Sequence, residues 1–483
     1  MRRSAIALPI RSCGTKSYAK ALPTTELFSK LKTGPMKRLY KYYTPEAVNI
    51  AGGVPMDSVF PTKKVSVTLE DGKQIDCTLG DNLMMNYQRG DGTPGLRDWI
   101  SSHVAEVHNV PANSGSATCM TIGSTDGLAK VLQLVATDVV ILDEFAYGTA
   151  VAVCNTLDKQ PVGVPMDAHG IIPERLEEAI LAMRAQNLRV NLLYLVPTGQ
   201  NPTGHSITET RKREILRICQ KMEVIIVEDG RLRCAVLCCP FISYSVLVFS
   251  LCVDAYYYLH YGEGPEMPGT RALPTSFYEL DLQTAEAVTG APARSVLRMD
   301  SLSKFIAPGM RLGWIAGPEE FIQKYQLLQE MTSQFPGGLT QSVFLRMVQN
   351  WADQEAAGGV GLHAHVQHMQ RHYRDQRDVM VAALEKYLPP GVAEYDIPTA
   401  GMFLWLKLSP GADGRSAASF DVFKHLAACG VIVVPGGDFF VPGVMGTSVD
   451  PSIVRLTFAA ATPAQITEGI QRMGRALETL PVS

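Results

Sequence analysis

The residues that could do chemistry begin with a lysine that follows two serines. The run Ser301-Leu302-Ser303-Lys304 is followed closely by Arg311. A lysine amine with a lowered pKa can form a Schiff base with an aldehyde cofactor. The two serines and Arg311 can donate hydrogen bonds to a phosphate group on such a cofactor. An ordinary surface lysine in a serine-rich loop is the alternative, so this motif alone does not decide the function.

A second candidate is the run Asn201-Pro202-Thr203-Gly204, which directly follows the apolar stretch from Val190 to Val196. An asparagine at the carboxyl end of a parallel strand points into the crevice where such sheets bind ligands. Its amide can donate to a phenolate oxygen. A simple turn is the alternative, because Asn-Pro and Thr-Gly are turn formers.

Two charged groups complete the candidate chemistry. Glu228-Asp229 ends the apolar run from Val224 to Val227. A carboxylate there can pair with a protonated ring nitrogen, which makes a pyridine ring an electron sink, or it can be a solvated acid at a strand end. Arg455 lies in the apolar run from Ser452 to Leu456. A buried arginine needs an anionic partner, which can be a substrate carboxylate or a structural salt bridge.

The elements that must position these residues alternate between strands and helices. The predicted strands are Val139–Leu142, Val190–Val196, Val224–Val227, Phe403–Leu406 and Val431–Val434, and the predicted helices are Thr208–Met222 and Thr462–Leu480. Strand, crossover helix and strand in sequence indicate a parallel α/β unit. We therefore expect a large α/β domain followed by a smaller α+β domain.

Composition excludes several classes of protein. The 483 residues are 46% apolar and 19% charged, with a net charge of −3, which is typical of a globular protein and lacks the basic field that nucleic-acid binding needs. The ten cysteines show no paired spacing. Their pattern predicts reduced, mostly buried thiols and neither a disulfide framework nor a metal site.

Two patterns suggest functions that we do not expect. Gly90, Gly92 and Gly95 spell G-x-G-x-x-G, but a dinucleotide site needs a preceding strand, and residues 84–89 are a poor strand. The run from Cys234 to Val253 has 20 residues without a charge, long enough to cross a bilayer. A span there would separate the two halves of the candidate site, so we predict no membrane insertion.

Residues 1–25 contain no acidic residue. They carry five basic ones, Arg2, Arg3, Arg11, Lys16 and Lys20, with serine and alanine between them. This composition resembles a mitochondrial presequence, and a disordered basic arm is the alternative. We expect a mitochondrial location, with a cytoplasmic one as the alternative.

The four signals occur in the order Asn, Asp, Lys, Arg, and with them the sequence resembles a fold-type-I aminotransferase. More narrowly, it resembles the kynurenine/2-aminoadipate and aromatic-amino-acid aminotransferase group from about Ile50 to Leu480. The phrases that carry the resemblance are Ile50–Pro55, Asp143–Tyr147, Asn201–Gly204, Ser301–Lys304, Ala400–Trp405 and Val434–Gly436. It implies an N-terminal segment over 26–60, a cofactor-binding large domain with a mainly parallel sheet over 61–335, and a small C-terminal domain over 336–483.

The resemblance implies pyridoxal 5′-phosphate as the cofactor and a role for each matching residue. Lys304 would be the Schiff-base lysine and then the base that moves the proton. Asp229 would keep the pyridine nitrogen protonated, Asn201 and Tyr256 would donate to the ring oxygen O3′, and Tyr147 would stack on the ring. The phosphate would be held by Ser124, Thr125, Ser301, Ser303 and Arg311.

The resemblance also implies the substrate contacts and a partner subunit. Arg455 would grip the α-carboxylate of the substrate, and Gly53 would line the pocket beside Asn201. Tyr87 would reach the phosphate in the neighbouring subunit, which implies a homodimer.

One departure from the family pattern lies between Asp229 and Tyr256. Relatives continue from this strand with Glu-Asp-Asp, a small residue and two tyrosines, and removing residues 230–253 restores that phrase here. The block is apolar and free of acids, and we hypothesise that it is translated from an unspliced intron. It must either loop out and expose apolar surface or disturb the strand end that aims Asp229.

The predicted function is transamination of an aromatic amino acid, kynurenine or 2-aminoadipate with a 2-oxo acid such as 2-oxoglutarate. One alternative is a β-lyase that uses the same cofactor. The other is a non-catalytic homologue that the 230–253 insertion has disabled.

Overall fold

A computed structural model describes most of the chain. The described residues are 22–34, 38, 53, 55–79, 84–230, 256–270, 272–288, 295–304, 306–359, 361–408, 422–444, 450 and 452–479. The arm of residues 1–25 lies outside this set apart from residues 22–25, and the inserted block lies outside it apart from Gly230.

The strands and helices follow one another along the chain as an α/β alternation. The strands are β1 (Ser66–Thr68), β2 (Gln74–Asp76), β3 (Ser116–Thr121), β4 (Val139–Asp143), β5 (Gln160–Val164), β6 (Met166–Asp167), β7 (Gly170–Ile171), β8 (Val190–Leu195), β9 (Ile225–Gly230), β10 (Val296–Ser301), β11 (Gly313–Pro318), β12 (Ala393–Glu394), β13 (Phe403–Leu408), β14 (Val434–Pro435) and β15 (Ile453–Thr457). The helices are α1 (Glu26–Lys30), α2 (Pro94–Val107), α3 (Ser124–Leu134), α4 (Gly148–Thr156), α5 (Pro173–Ala185), α6 (Glu209–Met222), α7 (Phe277–Val288), α8 (Glu319–Thr332), α9 (Gly338–Ala356), α10 (Leu362–Tyr387), α11 (Val422–Ala428) and α12 (Pro463–Glu478).

Seven strands form the central sheet in the order β3-β11-β10-β9-β8-β4-β5. The ladders are parallel except those of β11, which runs antiparallel to β3 and β10. Strand β4 is buried along its whole length, as its uninterrupted apolar run predicts for a strand covered on both faces. The predicted strands Val139–Leu142, Val190–Val196 and Val224–Val227 correspond to β4, β8 and β9.

Helices cover both faces of this sheet, each over its own apolar core. One core holds Ile100 of α2, Ile180 of α5 and Ile218 of α6. The other holds Leu132 of α3 and Ile322 of α8. A mainly parallel sheet with helices on both faces is the predicted fold class, which is confirmed.

A second sheet follows in the last quarter of the chain, in the antiparallel order β12-β13-β15-β14. It shares a third apolar core with α10 and α12. Helix α12 begins after a capping box, in which Thr462 and Gln465 each satisfy the backbone N–H of the other. The predicted boundary at residue 335 stays a prediction, and helix α9 beyond it packs on a core of the central sheet through Phe344 and Val348.

One predicted strand is shorter than expected. The run from Val431 to Val434 was expected to form a strand, but only Val434 and Pro435 pair, opposite Arg455 and Val454 of β15. Val431 and Val433 are buried and Ile432 is exposed, so the residues alternate like a strand without finding a ladder partner before Val434.

The glycine-rich run serves packing. Residues 84–93 form no strand, and α2 begins at Pro94. A Cβ atom on Gly92 would lie 2.4 Å from the sulfur of Met120, and one on Gly90 would lie 2.5 Å from Cγ of Glu330. These glycines let the loop lie directly against β3 and α8.

Among the described cysteines, Cys77, Cys119, Cys154 and Cys219 are buried free thiols, and Cys429 is exposed. Burial raises the pKa of Cys154 to about 12, so its thiol stays protonated near neutral pH. Within the described ranges, no helix is both long and apolar enough to span a membrane.

Candidate active site

The first part of the site is the turn between β3 and α3. Gly123 caps the helix with a φ of +92°, a conformation that favours glycine, and Ser124 is the first helical residue. Ser124 is fully buried, and its Oγ has no hydrogen-bond partner among the described residues. Thr125 follows it, half-buried in the first turn. A helix N-terminus with an unsatisfied buried hydroxyl is suited to bind an anion.

The turn after β10 reaches the same place. The Oγ atoms of Ser301 and Ser303 lie 3.0 Å apart, and both residues are buried. Arg311 donates through Nη2 to the carbonyl oxygen of Ile122 over 3.2 Å. Ile122 lies two residues before Ser124, so Arg311 reaches the loop that leads into α3. Leu312, the residue after Arg311, accepts a hydrogen bond from Oγ of Ser301 over 3.1 Å.

Lys304 ends this turn. It lies one residue beyond Ser303 and is half-buried, whereas both serines are buried. Its position at the carboxyl end of β10 places its amine at the edge of the sheet where open α/β folds bind ligands.

Asp229 lies at the carboxyl end of β9, next to β10. Its carboxylate oxygen Oδ2 accepts a hydrogen bond of 2.7 Å from the hydroxyl of Tyr194 on β8. Both residues are buried. In the parallel ladder Asp229 stands opposite Met299, two residues before Ser301, so the strand positions Asp229 beside the turn that carries Lys304.

Glu228 has a different environment from Asp229, although the sequence presents them as one acidic pair. Successive residues of a strand point to opposite faces. Glu228 forms an ion pair of 3.2 Å with Arg298 and accepts hydrogen bonds from the backbone N–H groups of Phe277 and Tyr278 at the start of α7. It is buried, so the alternative of a solvated acid does not apply to either carboxylate.

Asn201 and Arg455 meet across the two sheets. Nη1 of Arg455 donates to Oδ1 of Asn201 over 2.7 Å, and both residues are buried. The guanidinium carbon lies 4.1 Å from the ring centre of Phe403 and 4.6 Å from that of Phe439. Nδ2 of Asn201 has no hydrogen-bond partner among the described residues.

The two tyrosines predicted to contact the cofactor ring are both buried. Tyr147 is the residue before α4, at the end of the loop that leaves β4. Tyr256 is fully buried and packs edge to face against Phe403 at 5.7 Å between ring centres. Both flanks of the inserted block are therefore packed, Asp229 in the central sheet and Tyr256 against the second sheet.

The structure does not bring Tyr87 and Gly53 into this cluster. Tyr87 is 61% exposed, and among the described residues its ring contact is with Phe335 at 6.2 Å. Gly53 is exposed, and no heavy atom of a described residue lies within 4 Å of the position a Cβ would take. Their roles stay predictions.

Sequence reasoning missed three residues that hold the site. Tyr194 supports Asp229, and Gln200 links two loops. Nε2 of Gln200 donates to the carbonyl oxygen of Phe145 over 2.6 Å and to Asp143 over 3.3 Å, while its Oε1 accepts from Thr203. Burial raises the pKa of Asp143 to about 7. The signals available were the position of Asp143 and Tyr194 near the carboxyl ends of β4 and β8 and the position of Gln200 directly before Asn201.

The donor set fits a planar, heteroaromatic aldehyde that carries a phosphate. The buried Oγ of Ser124 and the N-terminus of α3 suit the phosphate, and the buried Nδ2 of Asn201 suits a phenolate oxygen. Asp229 can pair with a ring nitrogen and Lys304 with the aldehyde carbon.

The sequence model of the family "Aminotransferase class I and II" matches residues 60–230 and 254–473. The chain belongs to this family. It is a pyridoxal-phosphate-dependent aminotransferase with the type I fold. The match omits residues 231–253, which are the inserted block without its first residue, Gly230.

Relatives extend over nearly the whole aminotransferase. The chain is 29% identical to the rat "Kynurenine/alpha-aminoadipate aminotransferase, mitochondrial" (Rattus norvegicus), over 96% of this chain and 99% of that protein. It is 31% identical to "Aminotransferase tdiD" of Emericella nidulans, over 89% of each. Its fold is similar to that of aminotransferase Aro8 from Candida albicans, with a TM-score of 0.78 and 24% identity over 95% of this chain and 98% of that chain.

Proposed function

We propose that this aminotransferase moves the amino group of an aromatic amino acid, kynurenine or 2-aminoadipate to a 2-oxo acid such as 2-oxoglutarate. The observation that carries the proposal is the buried guanidinium of Arg455, which contacts Asn201 and lies against the rings of Phe403 and Phe439. Such a group binds a substrate carboxylate, and aromatic walls favour an aromatic side chain beside it. Relatives named for kynurenine, aminoadipate and aromatic amino acids support this choice.

The reaction we propose is carried by groups at the ends of β9 and β10. Bound pyridoxal phosphate supplies the aldehyde and an electron sink for the carbanion at the substrate Cα. Asp229 keeps the ring nitrogen protonated, and the hydroxyl of Tyr194 holds the carboxylate of Asp229 in place. The amine of Lys304 carries the proton between the substrate Cα and C4′ of the cofactor.

The resemblance to the family supports the remaining cofactor contacts that we propose. Asn201 and Tyr256 would donate to the ring oxygen O3′, and Tyr147 would stack on the ring. The phosphate is bound by the residues at the N-terminus of α3 and by the turn after β10, namely Ser124, Thr125, Ser301, Ser303 and Arg311.

We further propose that the active unit is a homodimer. Tyr87 is exposed on a loop that Gln329 and Glu330 of α8 anchor through hydrogen bonds to Gly90. An exposed tyrosine on a fixed loop is suited to reach the phosphate of a second copy. Gly53 would line the substrate pocket. Mixing the Lys304→Ala and Tyr87→Phe chains tests this: mixed dimers should regain activity at one of the two sites, and no recovery would contradict the proposal.

We propose a mitochondrial location. Residues 1–25 are basic and free of acids, and mammalian relatives carry "mitochondrial" in their names. Import assays should show uptake of the full chain into isolated mitochondria and none for a chain that begins at residue 26. Equal behaviour of the two chains would contradict this location.

The test of the function is a half-reaction followed by absorbance. The purified chain with pyridoxal phosphate should show a visible band of bound cofactor, which kynurenine, phenylalanine or 2-aminoadipate bleaches and 2-oxoglutarate restores. Lys304→Ala should lack the bleaching. A band that 2-oxoglutarate does not restore would contradict the transamination. Release of pyruvate and ammonia from a cysteine conjugate, without formation of glutamate, would instead support the β-lyase.

A further inference from the structure

A buried ion cluster lies on the face of the central sheet opposite to Asp229. Arg298 on β10 is 1% exposed and binds both oxygens of Asp300 through Nε and Nη2, at 2.8 and 2.7 Å. Its Nη1 lies 3.2 Å from a carboxylate oxygen of Glu228. Such a cluster is costly to bury and is sustained only when every member is well paired.

The cluster also holds the chain that returns to the site after the inserted block. The guanidinium carbon of Arg298 lies 4.2 Å from the ring centre of Tyr257. The hydroxyl of Tyr257 donates to the carbonyl oxygen of Pro274 over 2.9 Å. A guanidinium over an aromatic face, away from water, is an attractive contact with a defined geometry.

The next residue has its own anchor. The hydroxyl of Tyr258 lies 2.7 Å from Nε2 of His103, and its carbonyl oxygen accepts from Gln370 over 3.0 Å. Burial, with a smaller contribution from the charge of Arg298, lowers the pKa of His103 to about 4, so the imidazole is neutral at physiological pH. The contact is therefore a hydrogen bond between neutral buried groups.

On the other side, Tyr256 is fixed against the second sheet. Its ring packs on Phe403, and a Cβ atom on Gly401 would lie 3.3 Å from its Cγ. The backbone N–H of Gly401 donates to the carbonyl oxygen of Leu259 over 3.1 Å. Residues 256–259 are thus held from both sides by contacts within the described part of the chain.

The strand before the block is held as firmly. Val227 pairs with Tyr194 of β8, while Asp229 and Gly230 pair with Met299 and Asp300 of β10. Asp229 keeps its place through the ladder with β10, and Glu228, the residue before it, is the last residue that pairs with β8. These contacts that orient Asp229 and those that position Tyr256 do not involve the chain that connects the two residues.

We propose that Tyr257, stacked on Arg298, is the positioning residue that sets Tyr256 at the cofactor, so that the junction between Gly230 and Asp254 accepts additional chain. The inference rests on the proposed role of Tyr256 toward the ring oxygen O3′. Additional chain length then costs mainly loop entropy, which grows only with the logarithm of the number of residues.

The test compares Tyr257→Leu with Tyr257→Phe in the full chain. Tyr257→Phe keeps the ring over Arg298 and loses only the hydroxyl contact to Pro274. The readouts are the dissociation constant of pyridoxal phosphate, the pH midpoint of the visible band of the bound cofactor, and the melting temperature of the cofactor-free protein. Tyr256→Phe serves as the reference for loss of the O3′ contact.

We expect Tyr257→Leu to weaken cofactor binding about 5- to 20-fold. It should also raise the pH midpoint by about one unit, as Tyr256→Phe does, because a donor to O3′ stabilises the ionised oxygen. Tyr257→Phe should stay within about threefold of the unmodified chain. If Tyr257→Leu does not fold, Tyr257→Met replaces it in the test, because methionine keeps more of the buried volume.

A chain that lacks residues 230–253 provides the matched control. In that chain Tyr256 follows Asp229 by only three residues. The factor by which Tyr257→Leu raises the dissociation constant of pyridoxal phosphate should therefore be less than about a third of the factor in the full chain. An unshifted midpoint with equal cofactor binding in both Tyr257 variants would overturn the positioning role alone. An unmodified chain that binds no pyridoxal phosphate would instead contradict the proposed function and, with it, the inference.

Discussion

Arg455 and Asn201 join the two sheets through a hydrogen bond of 2.7 Å between Nη1 and Oδ1. The bond links strand β15 to the turn after β8. Because the asparagine accepts through its oxygen, its amide nitrogen is directed elsewhere, and the guanidinium of Arg455 is oriented by contacts within the protein. A preoriented guanidinium loses less conformational entropy when it binds its ligand.

Replacing Arg455 with lysine tests this arrangement. A lysine has no planar fork and cannot stack in the same way between Phe403 and Phe439. We expect the KM for both the amino acid and the 2-oxo acid to rise about 10- to 100-fold, while the affinity for pyridoxal phosphate changes less than threefold. Arg472→Lys on the exposed face of α12 is the matched control. An unchanged KM in Arg455→Lys would refute a substrate-binding role.

Gln200 should be sensitive to a change of one atom. Its Nε2 donates to the carbonyl oxygen of Phe145 and to the carboxyl of Asp143. In Gln200→Glu a carboxylate oxygen replaces this donor and cannot donate to the carbonyl oxygen of Phe145. We expect kcat/KM and cofactor affinity to fall about 10- to 100-fold, equivalent to about 1.4–2.8 kcal/mol. Gln186→Glu, at an exposed position, should leave both unchanged. Equal kinetics in the two variants would show that Gln200 does not position the loops.

Asp143 predicts a pH dependence of stability. Burial raises its pKa in the folded protein to about 7 from an ordinary value of 3.8, so the folded state binds the proton more tightly than the unfolded state. The free energy of unfolding is therefore highest below pH 4 as far as this group is concerned, and it falls as the pH rises toward 7.

Asp143→Asn should remove this dependence. Relative to the parent, the cofactor-free variant should gain about 2–4 kcal/mol between pH 4 and pH 7, measured by denaturant titration at several pH values. Asp98→Asn, on the exposed face of α2, is the control and should follow the parent. Parallel pH profiles for Asp143→Asn and the parent would contradict a buried, protonated carboxyl.

Removing residues 230–253 should preserve the site, because both flanks are independently packed. We expect the shortened chain to be more soluble and to bind pyridoxal phosphate at least as tightly as the full chain, measured by titration of the visible band. Loss of binding on removal would contradict the hypothesis that the block is foreign to the enzyme. A dominant transcript that encodes the block would contradict the hypothesis of an unspliced intron.

Much of the candidate site could be proposed from the sequence because its residues lie in a few short runs. The strands that end at Asp229 and before Asn201 are continuous apolar segments, and they lie within a few residues of the predicted bounds. The resemblance singled out Asp229, but the ion pair of Glu228 with Arg298 was not predicted, although strand alternation alone requires that only one of the two carboxylates can face the site. Gln200 and Tyr194 were missed because their partners are 35–57 residues away in sequence.

The short strand β14 was overestimated for a related reason. Alternation of buried and exposed residues from Val431 to Val434 is a local property, whereas a ladder needs a neighbour. Only Val434 and Pro435 lie beside β15. The sequence pattern predicts which residues are buried, but which of them pair depends on the position of the neighbouring strand β15.

The register of β9 also determines which of its two carboxylates faces the ligand crevice. A slip of one residue against β10 would exchange the two neighbouring carboxylates, so that Asp229 would meet Arg298 and Glu228 would enter the ligand crevice. The native alignment is fixed by ladders on both edges of the strand. The register of β9 against β8 and β10 therefore decides which of the two carboxylates faces the ligand crevice, and in the native alignment it is Asp229.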